Sequence, residues 1–551
     1  MRTLTTLSLR ELPSLWLTTA VALGSAVLLM LCGPAQAATA LVVQDAVALR
    51  AAAKDSAPVQ AQLWRGEALE IRGERLDHFQ VYDYRRERGG FVRKSQLLPL
   101  DGAAAEPAAL LAALRLVRQQ PGAESLGLGL AAAYVQAASV EQMNGGGGAE
   151  ALEAMGQSAE RLADRASRTQ PRPDGGSTAA EAQLAAQLEV AARYGVRFRT
   201  LARDAGAMQL CYEGDAFRRL LGMPAASGEQ KARAALALTR SDCVDPALTP
   251  PQREQFDQWR ADVLDKVDLP PLPTHWRNRV LMRQASVWSS LAYQQARRAG
   301  ASMGASRGTG AASNTVAGTG ANSAMGTVSG SASGNGASDS GAVAARKALE
   351  QFARIVSVDL AEDDQAAFNE AAMRGNAMRW LAMGGVGLSD QTLGSLRLSL
   401  QPGQPGETCL TLTAVGGREA LLRHCAWGLV MGASARINRE GNAVAIASVP
   451  ADGWRELWVL RKSAQGWRFS VLPPVAAQPG LGYAEFAGWL PGGQELLVAR
   501  EARAEGRYRR SFEVVQLDGL ETKRQAGDAS MLGAFQRWQA ADWKGATLSL
   551  R

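Results

Sequence analysis

The rhythm of polar and apolar positions changes twice along the chain, and each rhythm predicts a different kind of element. Between Leu41 and Pro99 the period is two. Residues 41–43 are a β-branched run, 47–50 alternate, 63–67 lead into a turn, and 68–72 alternate strictly. Residues 79–82 and 89–92 complete the series. Successive side chains of a strand point to opposite faces, so this rhythm predicts five or six short strands with one buried face. Short strands at this density suit a small barrel, which closes to protect its edges.

From Glu106 to about Gly384 apolar residues recur at helical spacing. The predicted helices cover 107–119, 126–143, 149–168, 178–201, 215–221, 228–240, 251–267 and 274–298. Most are bounded by Gly, Pro or Asp. Residues 299–342 are almost entirely Gly, Ser, Ala, Thr and Asn, too polar and small to offset their own ordering cost, and predict a disordered insertion in an inter-helix loop. Helices resume at 343–356 and 366–383, and Asp359 and Glu362 fit a capping box. No 34-residue period holds, so the middle predicts a bundle or irregular stack of hairpins rather than a repeat array.

Strand rhythm returns at 396–400, 409–412 and 420–423. Two similar blocks follow. One comprises 441–447, 456–460 and 466–469, the other 491–499, 511–515 and 518–520. A turn, a strand, a gap and a second strand resemble a propeller blade, and Trp489 to Ala499 looks like the turn of Tol-type and WD-like blades without its aspartate. The stretch is too short for a closed propeller, so a partial propeller or an antiparallel sandwich is expected. The fold class is therefore multidomain α+β: a small barrel at 38–100, a helical domain at 105–390 and a β-rich domain at 393–551.

The first module resembles the bacterial SH3-like (SH3b) family. The matching pieces are Val47-Ala48-Leu49-Arg50, then Leu63 to Ile71, then Phe79 to Tyr82, then Gly90-Phe91-Val92 to Leu97. Ala51-Ala52-Ala53 replaces the family's "SGP" turn, and Phe79 and Phe91 stand at both family tryptophan positions. The resemblance implies a small barrel that binds peptidoglycan or an envelope protein. Trp64, Phe79, Tyr82 and Phe91 are the candidate contacts.

Arg2 and Arg10 precede an apolar run from Leu15 to Leu31, and Ala35-Gln36-Ala37 follows. That order marks a secretory signal over 1–37, with an inner-membrane anchor through 15–31 as the alternative. The expected location is the periplasm or beyond, in a Gram-negative envelope. No other window is long and apolar enough to span a membrane. Removing the signal leaves a net charge of about +6, spread along the chain. No basic block is interleaved with aromatics, which argues against nucleic acid. Oligomeric state is not encoded in these patterns.

Cys32 leaves with the signal, and four cysteines remain. In an oxidising compartment the spacing favours Cys211–Cys243 and Cys409–Cys425 disulfides, each worth roughly 3–4 kcal/mol. With no C-x-x-C and only His78, His275 and His424, neither a metal nor a cofactor is expected. No nucleophile elbow, metalloprotease, P-loop or dinucleotide motif occurs, so no catalytic residue is assigned. The expectation is a non-catalytic envelope protein that binds cell wall or protein partners. The alternative is a cell-wall, carbohydrate or peptide hydrolase targeted by the SH3-like module. Mass spectrometry of the exported protein should find Ala38 at the amino terminus, and an intact 1–37 segment would favour the anchor.

Overall fold

A computed structural model of the protein describes residues 38–169, 178–203, 206–308, 335–384, 390–476, 480–504 and 506–546. The expected signal and the middle of the Gly/Ser-rich segment lie outside the described residues. The chain divides into two compact units, one holding residues up to Arg199 plus Leu210–Glu213, the other Thr200–Gln209 plus everything from Gly214. Each is described by itself.

The first unit opens on seven strands: β1 (Ala38–Val42), β2 (Val47–Arg50), β3 (Val59–Leu63), β4 (Ala68–Arg75), β5 (His78–Asp83), β6 (Arg88–Arg93) and β7 (Leu97–Leu100). They form one antiparallel sheet in the order β3-β2-β6-β5-β4-β1-β7. The expected closed barrel is thus an open sheet, with β3 and β7 at its ends. Neither end strand stood out in the pattern. β3 is mostly exposed, and β7 contains Pro99, which an edge strand tolerates because one side of it makes no ladder. Val47, Leu49, Leu63, Leu69, Val81 and Val92 make the apolar interior.

Five helices follow: α1 (Pro107–Val117), α2 (Glu124–Ala137), α3 (Val140–Asn144), α4 (Gly146–Arg168) and α5 (Ala179–Arg193). The predicted 126–143 helix is split at Ser139. Its hydroxyl accepts the Gln142 N–H at 3.2 Å, while the Gln142 side chain accepts the Ser139 N–H at 2.8 Å. This capping box starts a new helix. The predicted 178–201 helix stops at Arg193, and its last residues belong instead to β8 (Phe198–Ala202), followed by β9 (Met208–Tyr212). Gly195, at φ +75°, supplies the left-handed residue that ends the helix. Leu41 packs with Leu110, Leu114, Leu126 and Leu130, joining sheet to helices. Glu67 is 1% exposed and is held by Arg86 at 3.0 Å and Arg193 at 3.1 Å. Gly66 beside it has φ +85°, and a Cβ there would lie 2.4 Å from the Ser125 carbonyl oxygen.

The second unit has six helices before its sheets: α6 (Asp215–Leu221), α7 (Gly228–Leu238), α8 (Pro250–Asp265), α9 (Thr274–Gly308), α10 (Asn335–Ala353) and α11 (Gln365–Gly384). The predicted insertion is therefore helical at both ends, since α9 and α10 extend into it. Ala299 is buried, and Gly341 packs against Ala292 and Ala296. Small residues there let two helices approach closely, a use that composition alone does not separate from disorder. The Asp359–Glu362 capping box is not formed. Glu362–Asp364 is itself a short 3-10 turn ahead of α11.

Three four-stranded antiparallel meanders come next. The first is β10 (Asp390–Leu393), β11 (Leu396–Pro402), β12 (Glu407–Ala414) and β13 (Ala420–Trp427). The second is β14 (Leu429–Ile437), β15 (Ala443–Ala451), β16 (Trp454–Ser463) and β17 (Gly466–Leu472). The third is β18 (Leu481–Trp489), β19 (Glu495–Ala504), β20 (Arg507–Gln516) and β21 (Thr522–Ala526). A short parallel contact of β16 with β18 joins the last two. Leu398 and Leu410 of the first meander pack on Val444, Ile446, Trp458 and Leu460 of the second. The alternate residues Ala443, Ala445, Leu457 and Val459 pack on Leu496, Val498 and Val515 of the third. The third covers its other face with α12 (Gly533–Trp538) and α13 (Ala541–Ala546), through Phe535 and Trp543. Successive meanders thus stack face to face, as either a partial propeller or an antiparallel sandwich requires.

The helical and β parts of this unit meet along α11. Glu485 on β18 accepts from Arg379 of α11 at 2.6 and 3.1 Å, from the Trp380 indole at 3.3 Å, and from Arg455 of β16. Arg455 also donates to the Asn376 carbonyl at 2.7 Å. Burial opposes ionisation of Glu485, but Arg455 and Arg379 outweigh it, so its pKa lies below the ordinary carboxylate range. A depressed pKa contributes stability above the unfolded value, near 4.3, and loses it as pH falls through the folded value. Glu485→Gln should lose about 3–5 kcal/mol at neutral pH, and its melting temperature should fall less steeply than wild type below about pH 4.5. Parallel pH–melting curves check this, and identical slopes would show that Glu485 is not linked to folding.

Candidate functional site

Three polar helix stripes of the second unit converge on one cavity of about 500 Å³. Arg253 and Arg260 project from α8, seven residues apart and so on one face. Arg279, Met282, Arg283, Ser286 and Ser290 line it from α9, again at helical spacing. Asp364 just before α11, with Ala367, Glu370 and Arg374 on it, form the third wall. Asp452 enters from the β15–β16 turn. Arg203, Leu236, Ser241, Val244 and Pro246 close the remaining side.

Charge pairing organises most of these groups. Asp257, wholly buried behind the lining, takes Arg253 Nε at 2.7 Å and Arg260 Nη1 at 2.8 Å. The Ser290 hydroxyl sits 3.0 Å from Asp257 Oδ2 and 2.6 Å from Asp452 Oδ2. Arg279 Nε reaches Asp364 at 2.8 Å, and Arg374 reaches Glu370 at 3.0 Å and Asp452 at 3.5 Å. Burial raises the cost of ionising Glu370, yet Arg374 more than offsets it and holds its pKa below the ordinary value. Arg283 is the opposite case. Burial first, and then the neighbouring Arg260, pull its pKa down to about 10. Its Nη1 meets the Thr239 carbonyl at 2.5 Å, the same carbonyl that takes Arg260 Nη2 at 2.7 Å.

The lining thus presents six guanidiniums and three carboxylates. Its serines have no histidine beside them, and each lining carboxylate accepts from an arginine. Such an arrangement is equipped to hold an oxyanion by forked, charge-assisted hydrogen bonds.

The residues proposed from the SH3-like resemblance do not form one surface. Phe79 packs against the interior of the first sheet. Tyr82 stacks edge-on with Tyr84 at 5.0 Å and lies under Arg72 at 3.8 Å. Phe91 pairs across the ladder with Gln80, placing it on the face opposite Phe79, and Trp64 is half-buried ahead of the Gly66 turn. Cys409 and Cys425 are cross-strand partners joined by a disulfide of 2.03 Å. Cys211 and Cys243 are also disulfide-bonded. The grouping of Glu407 with Cys409 and Cys425 is not a metal site while that disulfide stands. Trp454, Trp458 and Trp543 are sheet and helix packing residues, whereas Trp427 is 56% exposed. His424 stacks on Phe469 at 3.7 Å.

No family model, curated protein or solved structure matches the chain. The cavity's chemistry therefore has to be read from its own residues. Asp257→Ala would strand Arg253 and Arg260 in the interior, and should cost about 3–5 kcal/mol in urea unfolding. A loss under about 1 kcal/mol would mean that neither these pairs within α8 nor the Asp257 bond to Ser290 of α9 is linked to folding.

Proposed function

We propose that the protein is a non-catalytic binding protein of the bacterial envelope, and that it holds an oxyanion-bearing ligand in the arginine-lined cavity. The carrying observation is the lining charge, six guanidiniums against three carboxylates around a cavity of ligand size. On this reading the SH3-like module attaches the exported chain to peptidoglycan or to an envelope protein. Tyr82 and Phe91 are its remaining candidate contacts, with Phe79 turned inward.

Binding accounts for the cavity better than hydrolysis does. A paired-carboxylate hydrolase needs one acid kept protonated near neutral pH. Here Glu370 is pushed the other way, towards the anion, and Asp364 and Asp452 are arginine partners. The test is a calorimetric titration of the whole exported chain with inorganic phosphate, sulfate and citrate, beside the cation spermidine. At least one anion should bind with a dissociation constant in the micromolar to millimolar range, and Arg283→Met should weaken it at least tenfold. Anions that neither bind nor raise the melting temperature would overturn the reading.

A further inference from the structure

The six cavity arginines are not equivalent. Arg253, Arg260, Arg279 and Arg374 are committed to Asp257, Asp364, Glu370 and Asp452. Arg203 and Arg283 are not. Among the described residues neither has a carboxylate within ion-pairing distance. Both are held instead by backbone carbonyls of a single segment. Arg283 Nη1 donates to Leu236 at 3.4 Å and to Thr239 at 2.5 Å, and Arg203 donates to Val244 at 3.4 Å and to Asp242. The Asp242 carboxylate in that segment is taken by Arg240 at 2.5 Å.

Four cations matched by four anions leave two cations over, lining the same cavity and fastened to the same stretch of chain. Each is gripped along part of its guanidinium only. Nε and Nη2 of Arg283 and Nε of Arg203 have no protein acceptor among the described residues. Arg283, held through Nη1, presents Nε and Nη2 as a preset fork for an oxyanion, and Arg203, held through both Nη atoms, adds its Nε. A fork and a further cation lining one cavity suit one head carrying two charges better than two separate single charges. The depressed pKa of Arg283 fits this seat, because a bound dianion would offset the cost of burying it.

Between the ion pairs the cavity also has an apolar wall. Leu236, Val244, Pro246, Met282 and Ala367 form it, and the cavity's volume of about 500 Å³ far exceeds that of a bare tetrahedral anion. Resting on the oxyanion reading above, we infer that the ligand is an organic phosphate monoester. Its dianion is seated between Arg203 and Arg283, with Ser241 beside them, and its organic body lies against the apolar wall.

The experiment compares phenyl phosphate, phenyl sulfate, benzoate, succinate and inorganic phosphate by calorimetry on the whole exported chain. Phenyl phosphate and phenyl sulfate share a shape and differ in charge. Inorganic phosphate shares the head and lacks the body. Phenyl phosphate should bind about tenfold or more tightly than each of the others. Its affinity should also fall about tenfold from pH 7.5 to pH 5, as the ester dianion takes up one proton near pH 6, while that of phenyl sulfate stays constant. The carboxylates sharing the cavity are Asp364, Glu370 and Asp452, with Asp257 behind them, and no histidine lines it. Asp242 and Arg240 lie on the segment that holds both arginines, and although burial opposes ionisation of Glu370 and Asp242, Arg374 and Arg240 hold both below the ordinary carboxylate range.

Arg283→Met and Arg203→Ala should each cost at least tenfold for phenyl phosphate. Arg203, half-buried at the cavity edge, keeps the test available should the Arg283 variant fail to fold. Equal binding of phenyl sulfate or benzoate, or a pH-independent affinity, would overturn the phosphate assignment while leaving the oxyanion reading standing. So would inorganic phosphate binding as tightly as its phenyl ester. Failure of every anion would overturn both.

Discussion

The second unit depends on one buried carboxylate. Glu485 is 2% exposed and takes guanidiniums from two different elements, Arg379 of α11 and Arg455 of β16. Removing three charges from water is expensive, and only close geometry with further hydrogen bonds recovers that cost. Those bonds are present. Asn376 donates to the Tyr483 hydroxyl at 3.2 Å, and that hydroxyl donates to Glu501 at 2.6 Å. The network fixes α11 both in register and in rotation against β16 and β18. An apolar contact would fix its distance but tolerate sliding. This matters for the cavity, because Glu370 and Arg374 lie on the same helix, one to three turns earlier. The ion network inside the β part therefore determines where two of the cavity's charges stand.

The same unit shows why its fold was largely legible and where legibility ended. Residues 443–447 and 457–460 read as continuous apolar runs, not as alternation. The structure gives the reason, since the middle meander is buried on both faces. Val444 and Ile446 go to one neighbour, and Ala443 and Ala445 to the other. Continuous apolarity is the signature of such strands. The Cys409–Cys425 pairing was readable because its two strands alternate and a hairpin brings them into register. Errors fell where local composition permits two structures. Small residues such as Ala299 and Gly341, at the two edges of the expected insertion, suit a flexible coil and a close helix pair equally. Neighbours decide between those outcomes, and neighbours are not written locally.

The cavity was hidden for a different reason. Helices were read by their apolar stripes, which assign the opposite face to solvent. On α8 and α9 the opposite face also turns inward. A signal did exist in Arg253, Asp257 and Arg260, and in Arg279, Arg283, Ser286 and Ser290. Polar residues at helical spacing, rich in arginine and serine and free of lysine, are composed for buried pairing more than for solvation. No motif search finds them, because the contributors run from Arg203 to Asp452. The SH3-like resemblance had the converse weakness. It places strands well, but it cannot say that Phe79 faces the interior while Phe91 does not, since one residue of register exchanges the two faces.

A cavity with surplus positive charge is a poor way to stabilise a protein. Buried ion pairs are at best near break-even against apolar packing, and a guanidinium without a carboxylate is worse. Among the described residues Arg203 and Arg283 donate to carbonyl oxygens alone, which carry partial charge and leave most of the cation's field uncompensated. The walls of the cavity are tied to one another by the pairs between elements: Arg279 with Asp364, and Asp452 with Arg253, Arg374 and Ser290. That frame surrounds the two unmatched cations. Anything that neutralises them binds the folded chain and not the unfolded one, so its binding energy adds directly to stability. Ligand affinity and the rigidity of the surrounding ion pairs are on this account one quantity, since a frame that yields would let the cations relax and leave an anion less to gain.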